Sequence, residues 1–329
     1  MNLLTKSYAR TLALLLGTLA AGCGGSPTPA VRHAALPPEL MAHFDAKAAQ
    51  LPEGLAIRDQ RAYLGFAPSG TIGAVDLASG ELTSFAQLPT PVPNKGFMTG
   101  LAWSGPSLYA ALVSFAPEVQ PGIYRVSVGG GAASLFAKHA HMVFPNGIAP
   151  TAAGTLYVTD SAAGSIFRVG ANGETVEWLH DDLLHGAKDV CGAGKGIGVP
   201  FDIGANGIAL DKGALYVTNS DKATLVRVPI EADGKAGVPS LVAGPDCERL
   251  SGADGLALDG DGNFLVAANH LNALVRIDRK GKVETLFHGA PFDFPASLQV
   301  VGRTLFTSNF SFLDAATDHA APGLVRSSY

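Results

Sequence analysis

One short phrase recurs six times along this chain: Glu53-Gly-Leu-Ala-Ile, Thr99-Gly-Leu-Ala-Trp, Asn146-Gly-Ile-Ala-Pro, Asn206-Gly-Ile-Ala-Leu, Asp254-Gly-Leu-Ala-Leu and, in degenerate form, Ala296-Ser-Leu-Gln-Val. Successive copies lie 46, 47, 60, 48 and 42 residues apart. A period of that length marks a repeat architecture in which each copy is one supersecondary unit. A turn and an apolar run follow each phrase, as in Thr155-Leu-Tyr-Val-Thr, Ala214-Leu-Tyr-Val-Thr and Asn263-Phe-Leu-Val-Ala. These β-branched and aromatic runs read as second strands. Third strands follow at Gly122-Ile-Tyr-Arg-Val, Ser165-Ile-Phe-Arg-Val, Thr224-Leu-Val-Arg-Val and Ala273-Leu-Val-Arg-Ile, and outer strands at positions such as Val176-Glu-Trp-Leu and Val283-Glu-Thr-Leu-Phe.

Four strands per repeat, six times over, predict an all-β fold: a six-bladed β-propeller with four antiparallel strands per blade, occupying residues 51–329. A parallel β-helix fits less well, because its repeats are shorter and carry no four-strand meander. The 40 glycines and 21 prolines are spread along the chain, as many tight turns require. The sequence stops just after the third strand of repeat six. Its outer strand is then expected from residues 30–50, although Glu39 to Gln50 reads equally well as a short helix.

Residues 1–22 read as a secretory signal, with Lys6 and Arg10 ahead of an apolar run from Leu12 to Leu19 and a small-residue exit at Ala20, Ala21 and Gly22. The apolar run is too short to span a bilayer. Leu19-Ala20-Ala21-Gly22-Cys23 resembles a bacterial lipobox, which implies lipidation of Cys23 and a location in the cell envelope, facing the periplasm or exterior. Residues 23–50 then form a tether and the possible ring-closing segment. Loss of Lys6 and Arg10 takes the formal charge from -5 to -7, and no basic run remains, so nucleic acid is not expected as a partner. Cys191 and Cys247 remain in an oxidising compartment and are expected to pair. The long interval between repeats three and four holds an insertion, roughly 183–203, expected to overhang the channel.

If the phrase opens the innermost strand, the residue before each glycine faces the channel at one height. That ring reads Glu53, Thr99, Asn146, Asn206, Asp254 and Ala296. Two facing carboxylates without a counter-charge repel each other, and a cation between them resolves this. The oxygen-only set suits Ca²⁺ or another divalent cation, whereas zinc prefers histidine or cysteine. Four Asx residues at second-strand ends, Asp160, Asn219, Asn269 and Asn309, could rim the mouth, although such residues more often begin a hairpin. His270 is the histidine best placed to shuttle a proton there.

On these residues the chain resembles the SMP-30/gluconolactonase/LRE group, related in fold to diisopropylfluorophosphatase and paraoxonase. The resemblance covers roughly residues 51–312. It implies a catalytic calcium held by Glu53, Asn146, Asn206 and Asp254, with Asp254 also acting as general base or nucleophile on a lactone or related ester. Thr99, Phe144, Asn219, Asn269 and His270 are expected near the substrate. Sugar-lactone members carry an arginine where this chain has Phe144, which favours a more apolar small-molecule substrate. A monomer is expected. The competing expectation is a non-catalytic envelope propeller that binds a ligand or protein around a structural metal.

Overall fold

The computed structural model describes residues 36–191, 199 and 201–329. The signal segment, Cys23 and the tether up to residue 35 lie outside them, as do 192–198 and 200 of the insertion. Six antiparallel meanders form a six-bladed β-propeller. Innermost strands are Pro52–Arg58, Gly96–Ser104, Pro145–Pro150, Ala205–Asp211, Ala253–Leu258 and Pro295–Val301, one per blade. Each touches the next around the axis, and the sixth touches the first.

Second strands are apolar on both faces because each is sandwiched between neighbouring blades. In blade four, Leu215 and Val217 pack with Tyr157 and Ile166 of blade three, while Ala214 and Tyr216 pack with Phe264 and Val266 of blade five. Strand alternation sends successive side chains to opposite faces, and here both faces are core. Burying each large side chain contributes about 1.5–3 kcal/mol.

Every inner strand shifts register at the recurring phrase, for instance between Pro145 and Ile148, Ala205 and Ile208, and Ala253 and Leu256. Such a bulge places an extra residue on one strand and re-aims its side chain. The glycine that follows has a packing reason. A Cβ on Gly147 would meet the carbonyl oxygen of Asn206, and one on Gly207 would meet that of Asp254. Inner strands of blades one to five thus approach the next strand backbone to backbone where glycine removes the Cβ, and blade six has Ser297 at that place.

The ring is fastened by Glu39–His43, which pairs antiparallel with the last strand, Gly323–Ser328, and serves as the outer strand of blade six. A single 3-10 turn, Ala46–Ala48, follows it. The helix also compatible with residues 39–50 does not form over Glu39–His43, because unpaired edge groups of the last strand offer a ladder to that segment. Blade one gains a short fifth strand, Gly131–Ala132, in parallel pairing with Leu82–Gln87.

Candidate metal centre

The phrase residues of blades one, three, four and five converge on one cleft at the end of the channel where inner strands begin, here called the mouth. Glu53, Asn146, Asn206 and Asp254 all line it, each only 5–7% exposed. The cleft has no lysine or arginine among its described lining residues. Thr99 and Ala296 of blades two and six lie in the wall. Thr99, expected near the substrate, instead donates from Oγ1 to the Pro145 carbonyl at 2.8 Å and does not line the cleft. Its hydroxyl is the donor that satisfies this buried carbonyl of the neighbouring blade.

The amides are oriented by hydroxyls that the sequence reading passed over. Asn146 Nδ2 donates to Ser161 Oγ at 3.1 Å, and Asn206 Nδ2 donates to Ser220 Oγ at 2.9 Å. The two serine hydroxyls are themselves committed as donors, to Ala205 O at 2.7 Å and Ala253 O at 2.9 Å. A hydroxyl has a single proton, so each serine accepts from the asparagine, which turns the amide NH₂ outward and leaves Oδ1 for the cleft. Asn269 follows the same rule, donating from Nδ2 to Asp254 Oδ2 at 3.0 Å.

Among the described cleft-lining residues, Glu53 Oε2, Asn269 Oδ1 and Asp221 Oδ1 are buried without a hydrogen-bond donor. Orphaned buried acceptors are costly unless something outside the protein satisfies them. Burial, and then the charge of Asp254, hold the Glu53 carboxyl well above the usual carboxylate range. Burial likewise pushes Asp254 up to about 7, with the Asn269 donor pulling the other way. The buried carboxylates of Glu53 and Asp254, with Asp221 at the wall, amide oxygens with their protons tied back and no lysine or arginine among the described lining residues together fit a hard divalent ion, which takes six to eight oxygens including water.

Hydroxyls of the second strands also latch the ligand residues from behind. Thr159 Oγ1 donates to Asn206 O, Thr218 Oγ1 to Asp254 O at 2.6 Å, and Ser308 Oγ to Glu53 O at 2.7 Å. Each latch crosses from one blade to the next. The recurrence of Thr159-Asp160-Ser161 and Thr218-Asn219-Ser220 is the sequence signal that would have revealed both roles.

The Asx residues at second-strand ends divide. Asn219, expected near the substrate, does not line the cleft; its Nδ2 donates to the carbonyls of Leu183 at 3.0 Å and His185 at 2.7 Å, holding the base of the insertion. Loop carbonyls beside a strand end need donors, and the asparagine amide supplies two. Asp160 and Asn309 similarly bind loop backbone, through Val143 N and Phe144 N, and through Pro291 O and Ala321 O. Asn269 alone of the four reaches the cleft.

Phe144 and His270 do line it, beside Phe97, Phe294, Phe310 and Phe312. Phe144 meets Phe97 edge to face with centroids 5.2 Å apart. Burial lowers the His270 pKa, which favours the neutral ring. The insertion contributes Val199 and Ile203 to the lining, and Ile203 N donates to Asp221 Oδ2 at 2.7 Å. Cys191 and Cys247 form a disulfide between the loops leading into blades four and five.

The fold is that of the SMP-30/gluconolactonase-like six-bladed propellers. Among solved structures, regucalcin from Agrobacterium tumefaciens, a calcium-binding protein, is similar at 19% identity, covering 89% of this chain and 93% of its own, with a TM-score of 0.63. A luciferin-regenerating enzyme is similar at 14% identity, covering 89% and 95%, with a TM-score of 0.64. A streptogramin B lyase is similar at 16% identity, covering 84% and 81%, with a TM-score of 0.55. Identities this low speak for the fold, and one fold hosts different chemistries. The sequence matches no protein-family model and no curated protein.

Proposed function

We propose that the mouth holds a divalent cation, calcium, through Glu53, Asn146, Asn206 and Asp254, and that the protein hydrolyses a lactone or related ester of a small apolar molecule there. The observation that carries this reading is the outward-turned pair of amides: Ser161 and Ser220 leave only oxygen facing two uncompensated carboxylates. Bound in that cage, the cation supplies electrophilic polarisation of the substrate carbonyl. Asp254 lies on the cleft floor with Oδ2 fixed by Asn269, so its other oxygen is free to take a proton from attacking water or to attack the carbonyl itself. The phenylalanine walls exclude water and so strengthen every charge interaction inside. His270, neutral and lining the same cleft, is placed to carry a proton outward. Lipidation at Cys23 would hold this activity in a bacterial envelope, with the protein acting as a monomer.

The test is hydrolysis of a lactone and ester panel with calcium and after chelation, in wild type and Asp254→Asn. Turnover that calcium restores and the substitution removes is the expected result. Calcium that raises the melting temperature without any turnover would leave a structural pin and remove the hydrolase.

A further inference from the structure

The cleft does not end at its own walls. A second cavity opens beside it at the mouths of blades six, one and two, and the two share Phe97, Val199, Phe310 and Phe312. Its remaining lining includes Ala67, Pro68 and Phe115, and Asn94 is its one polar side chain among the described residues. No charged group borders it there. Phe115 and Phe312 stay 50% and 40% exposed, while Leu313 beside them is 50% exposed. A contiguous exposed apolar patch marks a binding surface rather than ordinary surface scatter.

The rings are fixed by one another rather than loose. Phe310 and Phe312 have centroids 5.2 Å apart, and Phe115 lies 5.9 Å from Phe201, which in turn meets Phe144 of the cleft at 5.4 Å. A polar, charge-bearing floor therefore continues into a preformed apolar trough, the arrangement that suits a ligand with one polar end and one apolar end.

We propose that this trough binds the hydrocarbon or aryl tail of the substrate, so that the preferred substrates are lactones or esters bearing an extended apolar chain. The occupant is argued from continuity: among the described residues the charged groups of the combined cavity all lie at the cleft end, and a molecule with its carbonyl there has the trough as its apolar exit. The proposal rests on the hydrolase reading for the word substrate, but the binding of an apolar tail stands apart from it.

The experiment uses a series of lactones differing only in alkyl chain length, with calcium present. In wild type, kcat/KM rises about fourfold per added methylene until the trough is filled. Phe115→Ala and Phe312→Ala lower the ratio of long-chain to short-chain kcat/KM about tenfold. A flat wild-type profile, or equal losses on the shortest and longest members, overturns the proposal. A second readout is displacement of N-phenyl-1-naphthylamine, a neutral apolar fluorophore, by non-hydrolysable lactams of the same chain lengths. Chain-length-dependent displacement from wild type, weakened about tenfold in Phe115→Ala, supports the trough even when no lactone is turned over, in which case the hydrolase reading alone falls. Displacement that ignores chain length, or phenylalanines that bind only phosphatidylcholine vesicles and no lactam, removes the trough.

Discussion

The two ends of the channel are built from the same six strands and differ in almost everything else. Inner strands begin at the mouth with Glu53, Asn146, Asn206 and Asp254, all buried and oxygen-bearing. A few residues further on they end around a wider opening lined by Ala56, Ile57, Leu101, Trp103, Leu210 and Leu258. At the lower end each side chain sits as strand alternation dictates, and apolar contacts suffice. At the mouth a bulge breaks that alternation in every blade, and the displaced side chains need hydroxyl latches behind them to hold their aim. Regular pairing makes the ring; its repeated interruption makes the site.

The sharpest way to break this contrast is Asp254→Asn, which is expected to lower kcat/KM about 10³-fold in the lactone assay while the fold survives. Retention of full activity would place the chemistry elsewhere. Next in size is the response to calcium. At a hundred times its dissociation constant, calcium is expected to stabilise wild type by about 2.7 kcal/mol and Glu53→Gln by far less, read as the shift in Tm.

Without calcium the order reverses. Glu53→Gln then removes a buried carboxyl whose ionisation beside Asp254 is costly, and raises Tm at pH values where that carboxyl would ionise. The same pair sets a pH dependence. Both folded-state carboxyls titrate above their unfolded values of about 4, and Asp254 reaches about 7. Over that window the metal-free folded state binds more protons than the unfolded one, so its stability falls as pH rises from about 4 to about 7. Calcium binding must release those protons, so its affinity climbs across the same window. A metal-free Tm that rises with pH there would contradict the uncompensated pair.

Smaller effects follow from the orienting hydroxyls. Ser161→Ala or Ser220→Ala is expected to weaken calcium binding about 10–100-fold by titration calorimetry, through loss of amide orientation. Smallest of all, Ile57→Ala at the lower end should cost about 1 kcal/mol of stability and leave calcium affinity unchanged. An equal effect on calcium at both ends would erase the distinction between them.

The ring architecture was legible because a phrase repeated six times is hard to produce in any other fold, and the four phrase residues that line the cleft were legible with it. Second-strand ends were harder. Asn269 was grouped with Asp160 and Asn219 as an Asx residue, yet it aligns with Ser161 and Ser220, one place further along, and shares their role toward the phrase residue. Residue type suggested one equivalence, and register imposed another. Asn219 was misplaced for the same reason, since the carbonyls of Leu183 and His185 that claim its amide are far from it in sequence. The aromatic trough was equally hidden. Phe97 and Phe115 come from the two ends of one hairpin in blade two and Phe310 from blade six, and no local pattern announces that they meet.

The seam at blade six couples the strand Gly323–Ser328 to the neighbourhood of Glu53, one of the proposed metal ligands. Glu39–His43 pairs with Gly323–Ser328, and only a short loop separates that strand from Glu53, whose carbonyl is latched by Ser308. During synthesis or export from the N-terminus, Glu53 emerges long before its clasp exists. A ring without Gly323–Ser328 would keep Ser308 behind Glu53 but lose the strand on which Glu39–His43 pairs to close blade six. Calcium binding at the proposed site is therefore expected to weaken when this seam is broken.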